Sequence, residues 1–364
     1  MRCKTFFVCF VSIFLTQIIN AAPRTGGSYY NYGEALQKSI FFYKIQRSGD
    51  LPDDFPVIWR ADSCLLDGSD VGLDLTGGWY DCGDGVKVGH TMAYAASQLA
   101  WAVYEYREAF ERSGLLNDIL DEIKWATDYF IKCHPSPNEF YYYVGNATDH
   151  DYWAPHEVIH LLTTRPAHKV DTSTPGSDVA GLTAAALAAA SVVFKPTNPE
   201  YSEVCLKHAK ELFNFAETYR GFAPPVAFYG SSSYLDDLTW AAIWLYIATQ
   251  QIEYLDKAET FINDPNFSLT GHHTHCWDDV RYGAVLKLAE LTGKSKYVNA
   301  VEFNLDWWMP GGGVGYTSGG LASFDGWGNL RYVCAAAFLA FKWSDTNLCT
   351  AEKNKNIVIL LKVR

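Results

Sequence analysis

The sequence predicts an all-α chain of about ten helices arranged as helix pairs. Apolar residues recur every three or four positions in ten segments, the spacing of one buried helical face. Between these segments lie loops rich in Gly, Pro, Ser and Asp, of which 51–88 and 135–175 are too long to be simple connectors. No Pro-rich or Ser-rich linker divides the chain. We therefore expect one helical domain with its functional residues in long loops at one end.

The helical segments are predicted from this spacing, in chain order, over 31–48, 92–111, 115–132, 178–194, 201–219, 235–249, 254–261, 278–291, 295–307 and 330–343. The tract 183–191 reads TAAALAAAS, with small residues on nearly every face. Small side chains let a helix lie close to its neighbours, so we expect a buried helix here. A low-complexity linker is the alternative, which the Val-Val-Phe that follows disfavours.

The N-terminus has the pattern of a secretory signal peptide over residues 1–22, with a short basic start, an apolar run and then small residues. No later segment offers about 20 uninterrupted apolar residues. We expect a secreted, extracellular protein. Asn146 and Asn266 begin N-x-Ser/Thr sequons and are candidates for glycosylation. Seven cysteines would remain after cleavage, and their spacing does not reveal a pairing.

Charge and aromatic content limit the class of partner. The formal charge of −12 argues against nucleic acid or an anionic membrane, because both would be repelled. A neutral substrate is compatible with this charge. Aromatic residues make up 15% of the chain, and carbohydrate sites use aromatic rings because the C–H face of a sugar packs on them. The alternative interpretation is an aromatic-rich core.

Two carboxylates, Asp81 and Asp84, stand three residues apart in a Gly-containing turn ahead of a predicted helix. Such a pair can hold one water molecule in a cleft. Inverting hydrolysis of a glycoside needs a carboxylate base for that water and an acid roughly 6.5–9.5 Å across the bond. Residue types alone leave two other interpretations open, since Asp and Gly are ordinary turn residues and paired Asp also binds calcium.

The segment around this pair resembles the signature of glycoside hydrolase family 9, whose members are mostly endo-β-1,4-glucanases on an (α/α)6 barrel. Residues 59–94 read WRADSCLLDGSDVGLDLTGGWYDCGDGVKVGHTMAY. Further matches follow in order at 144–153, 165–194, 228–246, 276–279 and 316–341. The resemblance implies the fold class, with roughly the last helix pair lacking, and a catalytic domain over 23–345 followed by a divergent tail over 346–364.

The resemblance also implies roles for single residues. Asp84 matches the catalytic base, and Asp81 matches the partner that holds the water and adjusts the base. The residues matching sugar-binding positions are His150, Trp153, Phe228, Tyr229, Trp327, Arg331 and Tyr332. Ordinary packing is the alternative for some of these aromatic residues. The chain departs from the family where Gly85 replaces a common His, Val88 a common Phe, and His273 a frequent Trp platform.

The only role that we expect for a metal ion is structural, and we expect no cofactor to be required. The run GHHTHC at 271–276 has ligand types that suit zinc, but its compact spacing fits no usual zinc pattern, so we favour an adapted loop. The family alternative is a structural calcium ion, for which Asp236, Asp237 and Asp278 fall at matching positions.

The family's general acid is a Glu in a C-terminal motif, and this sequence contains no match to that motif. The resemblance therefore predicts an inverting endo-β-1,4-glucanase type of hydrolase, acting on cellulose or a related β-glucan, whose turnover is in doubt without that acid. The alternative is a secreted protein that binds carbohydrate without catalysis. Oligomeric state cannot be read from the sequence.

Overall fold

The structure, a computed structural model, describes residues 31–81, 83–226, 228–354 and 357. Ten α-helices lie between residues 31 and 345 of the described part of the chain, the number predicted from apolar spacing. They are α1 (Tyr32–Ile45), α2 (Gly89–Ser113), α3 (Leu116–Lys132), α4 (Ser177–Phe194), α5 (Pro199–Thr218), α6 (Leu235–Thr249), α7 (Ile252–Ile262), α8 (Arg281–Thr292), α9 (Ser295–Trp308) and α10 (Asn329–Ser344). The predicted signal peptide lies outside the described residues.

The described part of the chain divides into two compact units, one within 40–258 and one that combines 31–39 with 259–354 and 357. In the first unit, α4 packs against α2, α5 and α6. Side chains along nearly the whole of α4 are buried. Its Gly181 lies so close to α6 that a Cβ atom would stand 3.2 Å from the backbone carbonyl carbon of Asp237. These contacts confirm the prediction of a buried small-residue helix.

Among the described residues, α4 is also the one helix whose length and apolar composition would let it cross a membrane. Its apolar window is 94% buried inside the protein. The core helix of a soluble protein passes the same test, and the burial of α4 accounts for its composition.

A three-stranded antiparallel sheet was not predicted from the sequence. Its strands are β1 (Lys87–Val88), β2 (Glu139–Val144) and β3 (Ala167–Asp171), in the spatial order β1-β2-β3. Lys87 pairs with Val144, and the register shifts by a bulge between Tyr141 and Tyr143. The segment 135–175 is therefore part sheet, whereas the sequence indicated loop. The sheet fixes the loop that precedes β1 and the long loop between β2 and β3.

In the second unit, α8 packs against α9 and α10. A short hairpin of β4 (Gly315–Tyr316) and β5 (Ala322–Ser323) precedes α10. Buried Trp308, Ala322 and Tyr332 share one apolar cluster with the hairpin and the helices. This cluster holds the segment before α10 against the helices of its unit.

Candidate active site

The two predicted catalytic carboxylates lie in a short loop that β1 closes. The Asp81 N–H donates a hydrogen bond to the Val86 carbonyl oxygen at 2.9 Å, which brings the two ends of the loop together. Gly83 has a φ of 91°, a left-handed conformation that glycine adopts without steric cost. The sequence therefore folds into a tight turn here, and the turn carries both acids.

Asp84 is buried, with 6% of its surface exposed. His150 Nδ1 donates to its Oδ2 at 3.1 Å, and His156 Nε2 donates to its backbone carbonyl at 2.7 Å. The other carboxylate oxygen, Oδ1, has no hydrogen-bond partner among the described residues. Burial raises the pKa of Asp84 above its ordinary value, and the His150 hydrogen bond only partly opposes this effect. The carboxyl group is thus held on one side, and its other oxygen is buried.

Asp81 is oriented by a different contact. The Tyr229 hydroxyl donates to Asp81 Oδ2 at 2.6 Å, and the Thr91 hydroxyl lies 3.4 Å from Oδ1. Tyr229 comes from the segment before α6 and Thr91 from the first turn of α2. A short hydrogen bond to a carboxylate is stronger than one between neutral groups, so Tyr229 helps to fix the Asp81 position.

The backbone of the loop is held at Gly85 by two charged side chains. Asp149 Oδ2 accepts the Gly85 N–H at 2.8 Å, and Arg165 Nη1 donates to the Gly85 carbonyl at 2.7 Å. A Cβ atom at position 85 would lie 2.7 Å from Asp149 Oδ2 and 3.2 Å from Ile159 Cγ2. Only glycine fits at this position without displacing the loop from Asp149.

Arg165 is itself fixed by a buried ion-pair network. Its Nε and Nη2 donate to the two oxygens of Asp67 at 2.6 and 3.0 Å, and Lys87 Nζ lies 2.8 Å from Asp67. Burial alone would raise the pKa of Asp67, but the attraction of Lys87 and Arg165 outweighs it and lowers the pKa below its ordinary value. The carboxylate stays ionised and holds both cations beside the loop.

Aromatic side chains surround His150 next to the acids. The ring centroids of Trp153 and His150 are 4.6 Å apart, and those of Phe228 and His150 are 4.8 Å apart. Trp153 and Phe228 are about half exposed or more, at 53% and 62%. Trp153 has a φ of 51°, in the region that large side chains rarely adopt. Exposed rings beside the Asp81 and Asp84 carboxylates are a surface on which a sugar can pack.

The structure brings together six of the predicted residues in this way: Asp81, Asp84, His150, Trp153, Phe228 and Tyr229. The other three sugar-binding candidates lie near one another in the second unit, at the start of α10. Trp327 is 70% exposed, whereas Tyr332 is buried. The Arg331 guanidinium lies 4.4 Å from the centre of the Tyr332 ring, a cation–π contact.

Comparison with known proteins identifies the family. The sequence pattern described as "Glycosyl hydrolase family 9" matches residues 32–360. The chain belongs to glycosyl hydrolase family 9. Among curated relatives, Endoglucanase A of Bacillus pumilus is 48% identical over 340 residues, covering 90% of this chain and 51% of the relative. Endoglucanase 1 of rice, Oryza sativa subsp. japonica, is 42% identical and covers 90% of this chain and 54% of the relative. The chain spans about half the length of these relatives.

Solved structures of family 9 enzymes confirm the predicted all-α fold of the (α/α)6-barrel class. An endoglucanase from the termite Nasutitermes takasagoensis matches with a TM-score of 0.85 and 42% identity, covering 92% of this chain and 77% of that one. The cellulase Cel9M of C. cellulolyticum matches with a TM-score of 0.85 and 37% identity, covering 92% and 78%. Endoglucanase CelQ of Clostridium thermocellum, solved in complex with cellotriose, has a TM-score of 0.82 and 40% identity, covering 92% and 55%.

The candidate calcium ligands of the family fall in both units. Asp236 and Asp237 lie in the first turn of α6 and are buried, and Asp278 lies just before α8 and is partly exposed. Carboxylate oxygens are the donors that calcium prefers, so the residue types suit that ion. Calcium binding stays a prediction.

The histidines of the run at 271–276 make separate contacts. The His272 ring stacks between Phe303 and Trp307, with centroids at 4.7 and 4.9 Å. His273 Nδ1 lies 3.0 Å from Asp279 Oδ2. His275 is buried, and burial lowers its pKa to about 4. Each ring thus has a different local role, which supports the interpretation of an adapted loop.

The sequence did not predict Asp67, Asp149, His156 or Arg165 as site residues. All four act on the loop between Asp81 and β1 rather than on a substrate position. The signal that could have found them is the density of charged residues inside the two long loops, since charges in a loop that packs on a core need partners.

Proposed function

We propose that this chain catalyses the hydrolysis of β-1,4-glucan as an inverting endoglucanase, with Asp84 as the base and Asp81 as the residue that orients the water. The observation that carries the proposal is the environment of Asp84. One carboxylate oxygen is held by His150, and the other has no partner among the described residues. A buried carboxyl group fixed on one side is suited to accept a proton from a water molecule on the other.

In the proposed step, the oxygen of a water molecule attacks the anomeric carbon while Asp84 takes one proton of that water. Asp81 accepts a hydrogen bond from the other proton, and Tyr229 keeps Asp81 in place. The glycosidic C–O bond breaks, and the departing oxygen takes a proton from a solvent water molecule, because none of the residues assigned in this chain supplies a general acid. General acid catalysis contributes roughly 10²- to 10⁴-fold to the rate.

The sugar chain is proposed to contact the exposed rings of Trp153 and Phe228, with His150 between them and the base. Trp327, Arg331 and Tyr332 are also proposed as sugar-binding residues. We further propose secretion of the protein, with residues 1–22 as the signal peptide. Asp236, Asp237 and Asp278 stay proposed calcium ligands, and the role of a bound calcium ion would be structural.

The test is to incubate the purified chain with carboxymethylcellulose and to measure new reducing ends. Proton NMR of cello-oligosaccharide products would record the anomer formed first. Reducing ends that disappear in Asp84→Asn, together with an inverted α-anomer, are the expected result. If reducing ends do not form but cello-oligosaccharides bind, the chain is a carbohydrate-binding protein and the catalytic proposal is wrong.

A further inference from the structure

Three potential metal ligands converge away from the carboxylates of the candidate active site. His134 follows the C-terminal end of α3, and His208 and Glu211 lie on α5. The Nδ1 atoms of the two histidines are 2.8 Å apart. Their ring centroids are 5.0 Å apart, and the angle between the ring planes is 72°. One ligand atom from each of the three residues lies within 4.8 Å of the others. These three residues form the His134 cluster.

The backbone fixes the geometry of the His134 cluster. His208 and Glu211 are three positions apart on a helix, which places them on one face. The His134 N–H donates to the Ile131 carbonyl at 3.2 Å, and the preceding Cys133 carbonyl accepts the Tyr141 N–H at 2.8 Å. His134 is thus held between the end of α3 and strand β2. The junction between α3 and β2 supplies one potential metal ligand, and α5 supplies two.

We propose that the His134 cluster binds a divalent transition-metal ion, such as Zn²⁺, through two imidazole nitrogens and one carboxylate oxygen. Zinc–nitrogen bonds of about 2.0–2.1 Å at tetrahedral angles place two adjacent ligand nitrogens roughly 3.3–3.4 Å apart. The two Nδ1 atoms, at 2.8 Å, would separate by roughly 0.5 Å to hold the ion between them. Imidazole suits zinc, copper, nickel and cobalt, whereas calcium and magnesium prefer all-oxygen sites, so the donor set selects a transition metal.

The alternative is an ordinary hydrogen bond between two neutral imidazoles. Two further observations favour a metal. His134 is 3% exposed, so its ring lies in a part of the protein shielded from bulk water. His208 and Glu211 are only partly buried, so an ion can reach the cluster from solvent.

One neighbouring charge opposes metal binding. Lys207 Nζ lies 3.9 Å from Glu211 Oε1, with the lysine side chain 68% exposed. A bound cation would compete with this lysine for the same carboxylate. Removing the lysine should therefore strengthen metal binding, whereas it would leave a simple histidine pair unaffected.

The experiment uses the whole chain, expressed without a polyhistidine tag and freed of metal by dialysis against a chelator. Zn²⁺ binding is measured by calorimetry, and Tm is measured with and without ZnCl₂. The wild type should bind one Zn²⁺ with a rise in Tm of a few degrees. His208→Gln and Glu211→Gln should each weaken binding by about tenfold or more, since even residues that only orient a ligand contribute 10–100-fold. Lys207→Ala should bind Zn²⁺ more tightly than the wild type.

Two control variants separate this site from other histidines. His160→Gln replaces an exposed histidine of a surface loop, and His273→Gln replaces one in the run at 271–276. Both should keep the Zn²⁺ affinity and the rise in Tm. Absence of Zn²⁺ binding by the folded wild type would overturn the proposal. So would undiminished binding by both His208→Gln and Glu211→Gln, because the ion would then occupy another site. Neither outcome depends on hydrolytic activity.

Discussion

Replacing Asp67 by Asn should destabilise the protein, because this carboxylate holds two buried cations. Asp67 accepts from Arg165 Nε at 2.6 Å and Nη2 at 3.0 Å, and it lies 2.8 Å from Lys87 Nζ. The side chains of Asp67, Arg165 and Lys87 are 1%, 7% and 0% exposed. The Asn side chain keeps the shape but removes the negative charge. Both cations would then remain buried without their counter-ion.

The expected loss follows from these contacts. Removing one partner of a buried ion pair costs about 3–5 kcal/mol. Lys87 would keep its hydrogen bonds to the Leu75 and Gly77 carbonyls, and Arg165 would keep its bond to Gly85. We therefore expect a loss near the lower limit, about 3 kcal/mol. At about 2 °C per kcal/mol for a domain of 150–250 residues, this corresponds to a fall in Tm of at least about 6 °C.

The measurement is urea and thermal unfolding followed by circular dichroism, with Asp53→Asn as the matched control. Asp53 is exposed, and its substitution should change the free energy of unfolding by no more than about 0.5 kcal/mol. A loss below about 1 kcal/mol in Asp67→Asn would refute the reasoning. It would mean that the cost of burying three charges cancels their mutual attraction.

The difference between wild type and Asp67→Asn should also depend on pH. The pKa of Asp67 is lower in the folded protein than its ordinary value of 3.8. The unfolded chain therefore takes up a proton first as the pH falls. The stabilisation is fully present above that ordinary value and is lost as the pH falls through the folded pKa. A difference that grows on acidification would contradict this assignment.

Three further changes test the loop that carries the acids. Asp84→Asn should lower kcat by about 10²- to 10⁴-fold. The acid limb of the wild-type kcat/KM profile should lie above pH 3.8, because burial raises the pKa of Asp84 and the base acts only when it is ionised. An acid limb at or below that pH would contradict the role of Asp84 as the base. Tyr229→Phe removes the 2.6 Å donor to Asp81 and should lower kcat about tenfold with little change in KM, since a hydrogen bond to a charged group contributes about 1.5–3 kcal/mol; an effect on KM alone would indicate a sugar contact instead. Gly85→Ala should lower kcat by displacing Asp149. The control Gly326→Ala should not lower kcat, because no atom lies within 4 Å of a Cβ added there. Equal activity of the two variants would refute the steric argument.

The helices could be predicted because their signal is local. Apolar spacing predicted a helix over 201–219, and the structure has Pro199–Thr218. The small difference at its start has a physical cause: the Asn198 side chain accepts the Tyr201 N–H at 3.1 Å, and a proline follows as the first helical residue. The strands could not be predicted in the same way. β1 has two residues, and its existence depends on pairing with β2 more than fifty positions away.

In the candidate site, too, the residues in local motifs could be predicted and those with long-range contacts could not. The resemblance predicted Asp81, Asp84 and His150 from short motifs, and the structure brings them together. The residues that support them were not predicted, because their contacts join distant parts of the chain. Asp67 and Arg165 are 98 positions apart, and no local spacing indicates that a guanidinium and a carboxylate will be buried together.

The exchange of a common His for Gly85 also has a structural explanation. In this chain the loop is held through the backbone of residue 85, with Asp149 on the N–H and Arg165 on the carbonyl. A side chain at this position would collide with Asp149, so the glycine by which this chain departs from the family leaves room for the backbone contact with Asp149. Arg165 is held in turn by Asp67, which also contributes to global stability. The position of Asp84 therefore depends on the same buried charges as the fold, and we expect changes in this network to alter stability and catalysis together.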